Sequence, residues 1–402
     1  MPVRLDMLLK YLAIISLIAL GACTELTRDA QPLDRPPGEP AGFELIRYHP
    51  FDPRTPTLPD LADAYKHETP DNYVIEGDGQ AVYNYLAVSG GGSAGAFGSG
   101  ILNGWTKQGT RPKFKVVTGV STGALIAPFA FLGPDYDAQL KEAYTTIDPG
   151  RVFFLRGWLS MLWQESVTDN APFKELMAKY VDDSMLEKIA KEHANGRRLY
   201  VLTTDLDREQ PVVWDMGAIA GSKSPNRLAL FRQVLLASTS VPAIFPPVYI
   251  DVVIDGKKRD EMHVDGGVFM QSFFIGNILN LTKMAADAHP EWKKPAVQRL
   301  YVIRNGRIDP VSQEMKRGIG SIAGRSISTL MKVSGVNDLY RLYLGQATGE
   351  LELRYVSLPI GYEPISTEEF NQAEMIKEYD LGYDLASKGV DWQRLPPGYQ
   401  PH

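Results

Sequence analysis

The stretch Phe114–Leu132, FKVVTGVSTGALIAPFAFL, decides how the centre of this chain folds. Its β-branched beginning predicts a strand over residues 115–118, and its apolar end predicts a helix. Between them, Gly119, Ser121 and Gly123 complete the pattern G-x-S-x-G. Small flanking residues permit a tight strand-to-helix turn that pushes the serine out of the sheet edge, and the helix N-terminus favours a developing alkoxide. The stretch therefore predicts an α/β unit that presents Ser121 as a candidate nucleophile.

Strands and helices alternate on both sides of this stretch. Upstream, the sequence predicts a strand over Val82–Ser89 and a helix over about 97–108. Downstream, it predicts strands at 199–204, 211–214, 248–254, 261–264 and 297–304, and a helix at about 227–238. This alternation is typical of an α/β fold with a mainly parallel central sheet. Beyond about residue 310, the pattern predicts a long helix, a strand and a final helix.

A glycine-rich segment, Ser89–Gly98, follows the first of these strands. Its glycines leave backbone N–H groups unobstructed just before a helix N-terminus, an arrangement that binds a phosphate or an oxyanion. Gly90, Gly92 and Gly95 also fit a dinucleotide-binding pattern, which expects an acidic residue about 20 positions later. No Asp or Glu occurs between residues 96 and 134. A nucleotide site and a purely structural turn are therefore the weaker alternatives.

A serine nucleophile needs a base, and the chain contains six histidines. His289 has the right order for a Ser–Asp–His triad, but it lies where a helix is predicted to end. His263 lies in a strand two residues before Asp265, so both side chains share one face. Asp265 and the glycines that follow it end this strand, and burial would raise the pKa of Asp265 toward the range of a general base. Because Asp-Gly is also common in ordinary turns, this motif alone does not decide between these roles.

The three motifs together resemble the patatin-like phospholipase family. That family is recognised by a glycine-rich segment, G-x-S-x-G and Asp-Gly-Gly, in this order. Here they are Gly90–Gly95, Gly119–Gly123 and Asp265–Gly267, and the resemblance covers about residues 82–304. It implies a three-layer α/β fold with helices on both faces of a mainly parallel sheet. It also implies a lipid acyl hydrolase that forms an acyl-enzyme intermediate and needs no cofactor.

The resemblance also assigns roles to residues. It implies a Ser–Asp dyad of Ser121 and Asp265 without a catalytic histidine. The expected oxyanion-hole residues are Gly90, Gly91 and Gly92. The remaining motif glycines are Gly95, Gly119, Gly123, Gly266 and Gly267. The chain departs from the family at Ala94, where an Arg or Lys is frequent, and this weakens the expectation of a strict phospholipid preference.

The N-terminus predicts a lipid anchor. A short apolar run after Lys10 ends in Leu20-Gly21-Ala22-Cys23, which resembles the lipobox of bacterial lipoproteins. Cys23 is the only cysteine, so no disulfide can form within one molecule. Lipidation of Cys23 would hold the protein at the cell envelope. Thr24 in place of Asp indicates the periplasmic face of the outer membrane if the host has two membranes.

Composition sets the remaining expectations. The formal net charge of −6, without a dense basic run, argues against a nucleic-acid partner and leaves the substrate open. The family resemblance implies a lipid or phospholipid substrate, and the lipobox-like segment implies a membrane surface as a partner. No H-E-x-x-H pattern or cluster of histidines and carboxylates indicates a metal site. The oligomeric state is left open. The predicted organisation is a signal peptide at 1–22, a lipidated cysteine and proline-rich tether at 23–80, a catalytic domain at 81–305 and a C-terminal helical extension at 306–402.

Two expectations have open alternatives. The apolar segment Phe153–Trp163 is either a wall or lid for acyl chains or a buried core helix. The whole chain is either an active hydrolase or a catalytically silent lipid-binding or envelope-scaffold lipoprotein that keeps the fold. The intact Ser121 and Asp265 favour the hydrolase.

Overall fold

The predicted strand, turn and helix around Ser121 lie at the centre of the computed structural model. The strand covers Val116–Val120 and the helix covers Thr122–Leu132. The structure describes residues 28–54, 59–146, 154–155, 168–169, 171–242, 244–277, 280–347, 351–366 and 368–400. Cys23 and the predicted signal peptide lie outside these residues. So does the segment 153–163, except for residues 154–155.

The strands and helices of the described residues are numbered in chain order. The strands are β1 (Glu39–Pro40), β2 (Arg47–Tyr48), β3 (Val74–Ile75), β4 (Ala81–Val88), β5 (Val116–Val120), β6 (Phe154–Leu155), β7 (Thr168–Asp169), β8 (Arg198–Asp205), β9 (Gln210–Asp215), β10 (Val248–Ile254), β11 (Lys257–Asp265), β12 (Val297–Arg307) and β13 (Glu352–Leu358). The helices are α1 (Pro59–Lys66), α2 (Gly95–Gln108), α3 (Thr122–Leu132), α4 (Asp137–Thr145), α5 (Ala171–Tyr180), α6 (Asp183–Ala194), α7 (Met216–Gly221), α8 (Arg227–Ser238), α9 (Leu281–Ala288), α10 (Ile319–Ala347) and α11 (Gln372–Ser387).

The central sheet is mainly parallel. Strands β8, β5, β4, β12 and β13 lie side by side in this order, and each neighbouring pair is parallel. Strands β11, β10 and β1 extend the β8 edge in antiparallel pairings. Every residue of β4 and β5 is buried, as expected for parallel strands covered on both faces. The predicted fold class is confirmed.

Hydrophobic layers cover both faces of this sheet. Neighbouring residues of β4 point to opposite sides, so Leu86 and Val88 join one buried cluster while Tyr85 and Ala87 join the other. The first cluster contains the apolar side chains of α2, α3, α6, α7, α8 and α11. The second contains those of α1, α9 and the C-terminal part of α10. The result is a three-layer arrangement of helices, sheet and helices.

Residues outside the catalytic domain predicted at 81–305 also take part in this architecture. In the proline-rich segment, β1 pairs with β10, β2 pairs with β9, and Phe43 and Ile46 are buried. Near the C-terminus, β13 extends the parallel sheet beside β12. Helix α11 packs so closely on α2 that a Cβ at Gly100 would lie 2.1 Å from the Tyr379 carbonyl oxygen. Among the described residues, no helix combines the length and apolarity needed to cross a membrane.

Candidate active site

Ser121 lies at the tight turn between β5 and α3. Its backbone has φ +55° and ψ −127°, a conformation that is strained for a residue with a side chain. The flanking glycines make the turn sterically feasible. A Cβ at Gly119 would lie 2.4 Å from the Gly123 carbonyl oxygen, and a Cβ at Gly123 would lie 2.2 Å from that of Val88. The G-x-S-x-G pattern is thus required by the packing of this turn.

Ser238 holds the backbone of this turn. Its hydroxyl accepts a hydrogen bond from the Ser121 amide at 3.0 Å and donates one to the Leu202 carbonyl at 2.7 Å. Ser238 is fully buried at the end of α8. This contact ties the nucleophile turn to β8, the next strand of the sheet.

Asp265 ends β11 beside this turn. It pairs with Thr203 of β8, and its amide donates to the Ser240 carbonyl at 2.9 Å. The carboxylate is fully buried, and its Oδ1 accepts a hydrogen bond from the Gly267 amide at 2.6 Å. Burial raises the pKa of Asp265 to about 7, against the lowering effect of the Ser121 side chain and the Gly267 amide.

The other oxygen of this carboxylate, Oδ2, is buried and has no hydrogen bond of standard geometry from any described residue. The Ser121 side chain lies close enough to lower the pKa of the Asp265 carboxyl, although its hydroxyl forms no hydrogen bond of standard geometry with Oδ2. A buried acceptor without a donor is energetically costly. An incoming proton or a shift of the Ser121 hydroxyl would relieve this cost, so the pair is suited to proton transfer.

The glycine-rich segment passes next to Ser121. A Cβ at Gly90 would lie 3.2 Å from the Ser121 Cβ. Gly91 and Gly92 both have positive φ, and no described residue accepts a hydrogen bond from either amide. Two adjacent N–H groups beside a serine can stabilise an oxyanion.

The expectation for Gly90 needs a correction. Its amide donates to the Gln271 carbonyl at 3.0 Å and is therefore not free to bind an oxyanion. The role of Gly90 in this structure is steric, because a Cβ there would meet Gln271 Oε1 at 2.5 Å. This leaves Gly91 and Gly92 as the candidate donors.

The other motif glycines are positions of close approach. A Cβ at Gly95 would lie 2.2 Å from Thr122 Oγ1, and one at Gly266 would lie 2.4 Å from the Leu202 carbonyl oxygen. A Cβ at Gly267 would lie 2.5 Å from Gln271 Nε2. The glycines thus let the three motif segments pack against one another.

Residues that the sequence did not single out support the glycine-rich segment. The Asn305 amide donates to Ser89 Oγ and its side-chain Nδ2 to the Ser89 carbonyl, both at 2.8 Å. A Cβ at Gly91 would lie 1.7 Å from the Asn305 carbonyl oxygen. Asn305 lies in β12, next to β4 in the sheet, so only the strand order brings it here.

Two buried side chains of opposite charge, Arg304 and Asp338, connect α10 to the same segment. Arg304 Nη1 lies 3.4 Å from Ser89 Oγ and from the Gly90 carbonyl oxygen, and burial lowers the pKa of Arg304 to about 10. Asp338 of α10 opposes this shift and accepts hydrogen bonds from the Gln271 and Ser272 amides at 2.7 and 2.8 Å. Asp338 lies outside the region of family resemblance, so no motif could have indicated it.

An acidic side chain lies against the glycine-rich segment. Ser93 Oγ donates to Glu369 Oε2 at 3.1 Å, and a Cβ at Gly92 would lie 3.0 Å from the same oxygen. Where the family often has a basic residue, this chain has Ala94. A carboxylate therefore lies beside the candidate oxyanion donors.

The histidines considered as bases have other partners. His263 Nδ1 lies 3.0 Å from Thr203 Oγ1, and its Nε2 lies 3.1 Å from Glu261 Oε2. His289 Nε2 lies 2.5 Å from Glu68 Oε1, and its ring stacks on Trp292. Within the described part of the chain, no histidine is hydrogen-bonded to Ser121. The geometry gives no support to a histidine-based triad.

The structure also brings together one group of potential metal ligands that the sequence did not suggest. Side-chain atoms of Asp60, His193 and Asp215 lie within 4.8 Å of one another. Arg198 forms an ion pair with this group, because its Nε lies 2.8 Å from Asp60 Oδ2. The arrangement therefore has the composition of a partly buried ion-pair cluster.

Comparisons with known proteins were consistent with these motifs. Residues 86–274 match the family model described as patatin-like phospholipase. No curated protein matches the chain. Three solved structures show distant likenesses. VipD from Legionella pneumophila is 11% identical with a TM-score of 0.38, over 79% of this chain and 70% of that one.

The other two structures concern ExoU. A complex of full-length SpcU and ExoU from Pseudomonas aeruginosa gives 11% identity and a TM-score of 0.24, over 91% of this chain and 60% of that one. The type III effector protein ExoU gives 14% identity and a TM-score of 0.19, over 82% of this chain and 58% of that one. This chain thus spans less than two thirds of the length of both of these matches. With TM-scores below 0.5, none of the three likenesses assigns a function.

Proposed function

We propose that this chain, whose residues 86–274 match the model of the patatin-like phospholipase domain, is a serine hydrolase that cleaves the acyl esters of lipids with Ser121 and Asp265. The domain supports a lipid hydrolase in general. The dyad and its ester specificity are the finer proposal. The observation that carries it is the fully buried Asp265 carboxylate, which interacts with the Ser121 side chain and whose Oδ2 has no other hydrogen-bond partner among the described residues.

The proposed reaction begins with proton transfer. Asp265 Oδ2 accepts the Ser121 hydroxyl proton while Oγ attacks the ester carbonyl carbon. The tetrahedral intermediate collapses, the C–O bond to the alcohol breaks, and the leaving alcohol takes the proton from Asp265. Water then attacks the acyl-enzyme and gives a proton to Asp265, and Ser121 regains this proton as the fatty acid leaves. Each cycle consumes one water and returns the dyad to its starting state.

Two features of the site would stabilise the charge that develops in this reaction. The amides of Gly91 and Gly92 would donate to the oxyanion, and each such donor contributes about 3–4 kcal/mol in related chemistry. Helix α3 begins directly after Ser121, and its N-terminus favours the Ser121 alkoxide. Both features are backbone groups, so they are preorganised before substrate binds.

A fluorophosphonate probe tests this proposal. The probe should label the native chain at Ser121, label Asp265→Asn much more slowly and leave Ser121→Ala unlabelled. Purified protein should also release fatty acid from mixed envelope lipids. Absence of both labelling and hydrolysis in a folded protein would overturn the proposal and favour the alternative of a silent lipid-binding or scaffold lipoprotein.

We also propose that acyl chains on Cys23 hold the protein at the cell envelope. The support is the lipobox-like sequence, and the site lies more than ninety residues further along the chain. Cys23→Ser should therefore release the protein from membranes and leave hydrolysis of a soluble ester nearly unchanged. Fractionation after a high-salt wash measures the release. Retention of Cys23→Ser in the membrane fraction would point to another anchor.

A further inference from the structure

The N-terminal half of α10 carries an exposed aliphatic stripe. It consists of Ile319, Ile322, Ile327, Leu330 and Val333, and Ile319 and Leu330 are 90% and 69% exposed. At about 100° per residue, these five side chains fall on one side of the helix. Single exposed aliphatic residues are ordinary on a protein surface, but a continuous helical stripe indicates an interaction surface.

The other side of this helix contacts residues 304–311 at three positions and leaves Ser328 between them exposed. Arg325 Nη2 donates to the Val311 carbonyl at 2.5 Å, and Lys332 Nζ donates to the Asp309 carbonyl at 2.9 Å. A Cβ at Gly335 would lie 2.6 Å from Arg304 Cζ. These contacts determine which side of α10 faces the domain, so the aliphatic stripe faces outward.

The charge of this segment is entirely positive. Residues 315–337 contain Lys316, Arg317, Arg325 and Lys332 and no Asp or Glu, although the whole chain has a net charge of −6. Lys316 and Arg317 are exposed just before the first turn of the helix. Arg325 and Lys332 bond to the protein on the other side of the helix, so Lys316 and Arg317 are the cations that can complement the negative surface of a bilayer containing anionic lipids.

We propose that the N-terminal half of α10 docks on an anionic lipid surface. The helix lies parallel to the membrane, with the aliphatic stripe among the acyl chains and the flanking cations at the head groups. A second copy of the chain fits less well, because a symmetric contact centred on this segment would bring two cationic regions together without an acidic residue between them.

The same helix reaches the candidate active site. Its Asp338 holds the Gln271 and Ser272 amides, and the Gln271 carbonyl accepts from Gly90 beside Ser121. Docking through α10 would therefore bring the domain that carries the site close to the lipid surface. This surface is distinct from Cys23 and adds an orienting contact to any N-terminal anchor.

Because Cys23 is the only cysteine, the docking can be probed at a single position. In the full chain with Cys23→Ser, Leu330→Cys introduces one labelling site on the stripe, and Ser328→Cys introduces an exposed site about 200° away around the helix. Each protein carries an environment-sensitive fluorophore and is mixed with vesicles of phosphatidylglycerol and phosphatidylcholine. Emission from position 330 should shift to shorter wavelength, and emission from position 328 should not. Equal emission shifts at the two positions would overturn the proposal. A shift at position 330 that appears without vesicles when the protein concentration is raised would also overturn it.

A second experiment separates docking from chemistry. Ile322→Ser with Leu330→Ser should lower hydrolysis of vesicle lipids about tenfold, because lost apolar burial weakens surface binding. Hydrolysis of a soluble nitrophenyl ester should be unchanged, which shows that the dyad is intact. The matched control is Leu33→Ser with Leu45→Ser, two aliphatic residues that are each 57% exposed elsewhere on the surface. An equal loss in the control, or no loss in the stripe variant, contradicts the proposal. If the native chain itself does not hydrolyse the soluble ester, the result counts against the proposed function and not against the docking surface.

Discussion

The two ends of strand β5 contrast a complete polar network with an incomplete one. Lys115 directly precedes the strand and Ser121 directly follows it, and both are buried. Burial shifts the pKa of an ionisable group at each end. It lowers the pKa of Lys115 to about 8 and raises that of Asp265, next to Ser121, to about 7. A shifted pKa therefore does not distinguish a reactive group from a structural one in this protein.

Hydrogen bonding does distinguish them. Lys115 Nζ donates to Glu68 at 2.5 Å and to the Ala64 carbonyl at 3.0 Å, and it lies 4.7 Å from the centre of the Tyr65 ring. Glu68 in turn accepts from the Tyr83 hydroxyl at 2.6 Å. At the other end, Asp265 Oδ2 has no described partner other than the Ser121 side chain, which forms no hydrogen bond of standard geometry with it. The satisfied end can stabilise the fold, whereas the unsatisfied end can take up a proton.

The largest expected effect concerns the unsatisfied end. Ser121→Ala and Asp265→Asn should each lower kcat on a short-chain nitrophenyl ester by about four orders of magnitude or more, because nucleophile and base act as a unit. For the same reason, the double variant should be little worse than either single variant. Circular dichroism would check that all three remain folded. His289→Ala is the control and should retain activity. The opposite pattern, an active Asp265→Asn and an inactive His289→Ala, would restore the histidine-based triad.

The next effect concerns the satisfied end. Lys115→Met should lower the free energy of unfolding by about 3–5 kcal/mol, since it leaves the buried Glu68 without its cationic partner. The folded fraction should hydrolyse the ester at the native rate. Urea unfolding and activity per folded molecule measure the two quantities. A stable but inactive Lys115→Met would remove the contrast between the two ends.

A smaller effect is expected in the glycine-rich segment. Gly92→Ala should lower kcat about a hundredfold on both a neutral ester and a phospholipid, because a side chain at φ +58° shifts an oxyanion donor. Gly91→Ala is the steric comparison and should destabilise the fold, since its Cβ would collide with the Asn305 carbonyl oxygen.

Glu369→Gln controls for the nearby charge in this comparison, because it leaves the Gly92 amide unaltered. It should change only the ratio between anionic and neutral substrates. If Gly92→Ala loses activity on the phospholipid alone, the segment binds phosphate instead of an oxyanion. If it turns over both substrates normally, the segment is only a structural turn.

The smallest effect is the pH dependence. A base must be ionised to accept a proton, and the pKa of Asp265 is raised to about 7. We therefore expect kcat/KM to rise about tenfold per pH unit below that value and to level off above it. Lys115→Met should have the same profile as the native chain. A native profile without this rise would mean that Asp265 does not act as the base.

The sequence predicted the central strands and helices well because their signals are local. The predicted helix at 227–238 agrees with α8, and the predicted strand at 248–254 agrees with β10. The patterns around Ser121, Asp265 and the glycine-rich segment could be recognised because tight turns require small residues at fixed spacing. The structure brings these three segments together at the ends of β4, β5 and β11. Their chemical roles stay predictions until activity is measured.

Other features could not be predicted because they depend on long-range contacts. Asn305 and Asp338 are residue types found on many surfaces, and only the tertiary structure places them around the site. The same holds for Gly90, whose amide was expected to bind an oxyanion but is taken by the Gln271 carbonyl. Hydrogen-bond partners of a loop are set by whichever segment packs on it.

By itself, then, the sequence determined the α/β class, the tight turn at Ser121 and the order of the three motifs, since periodicity and glycine spacing act over a few residues. The tertiary structure alone decided which amides remain free, which buried groups are satisfied and which side of α10 faces solvent. Each of these depends on segments far apart in the chain that meet only when the sheet is assembled. Lys115 and Ser121 lie six positions apart in the sequence, at opposite ends of β5. Different segments of the chain pack at these two ends, so the two residues have different partners.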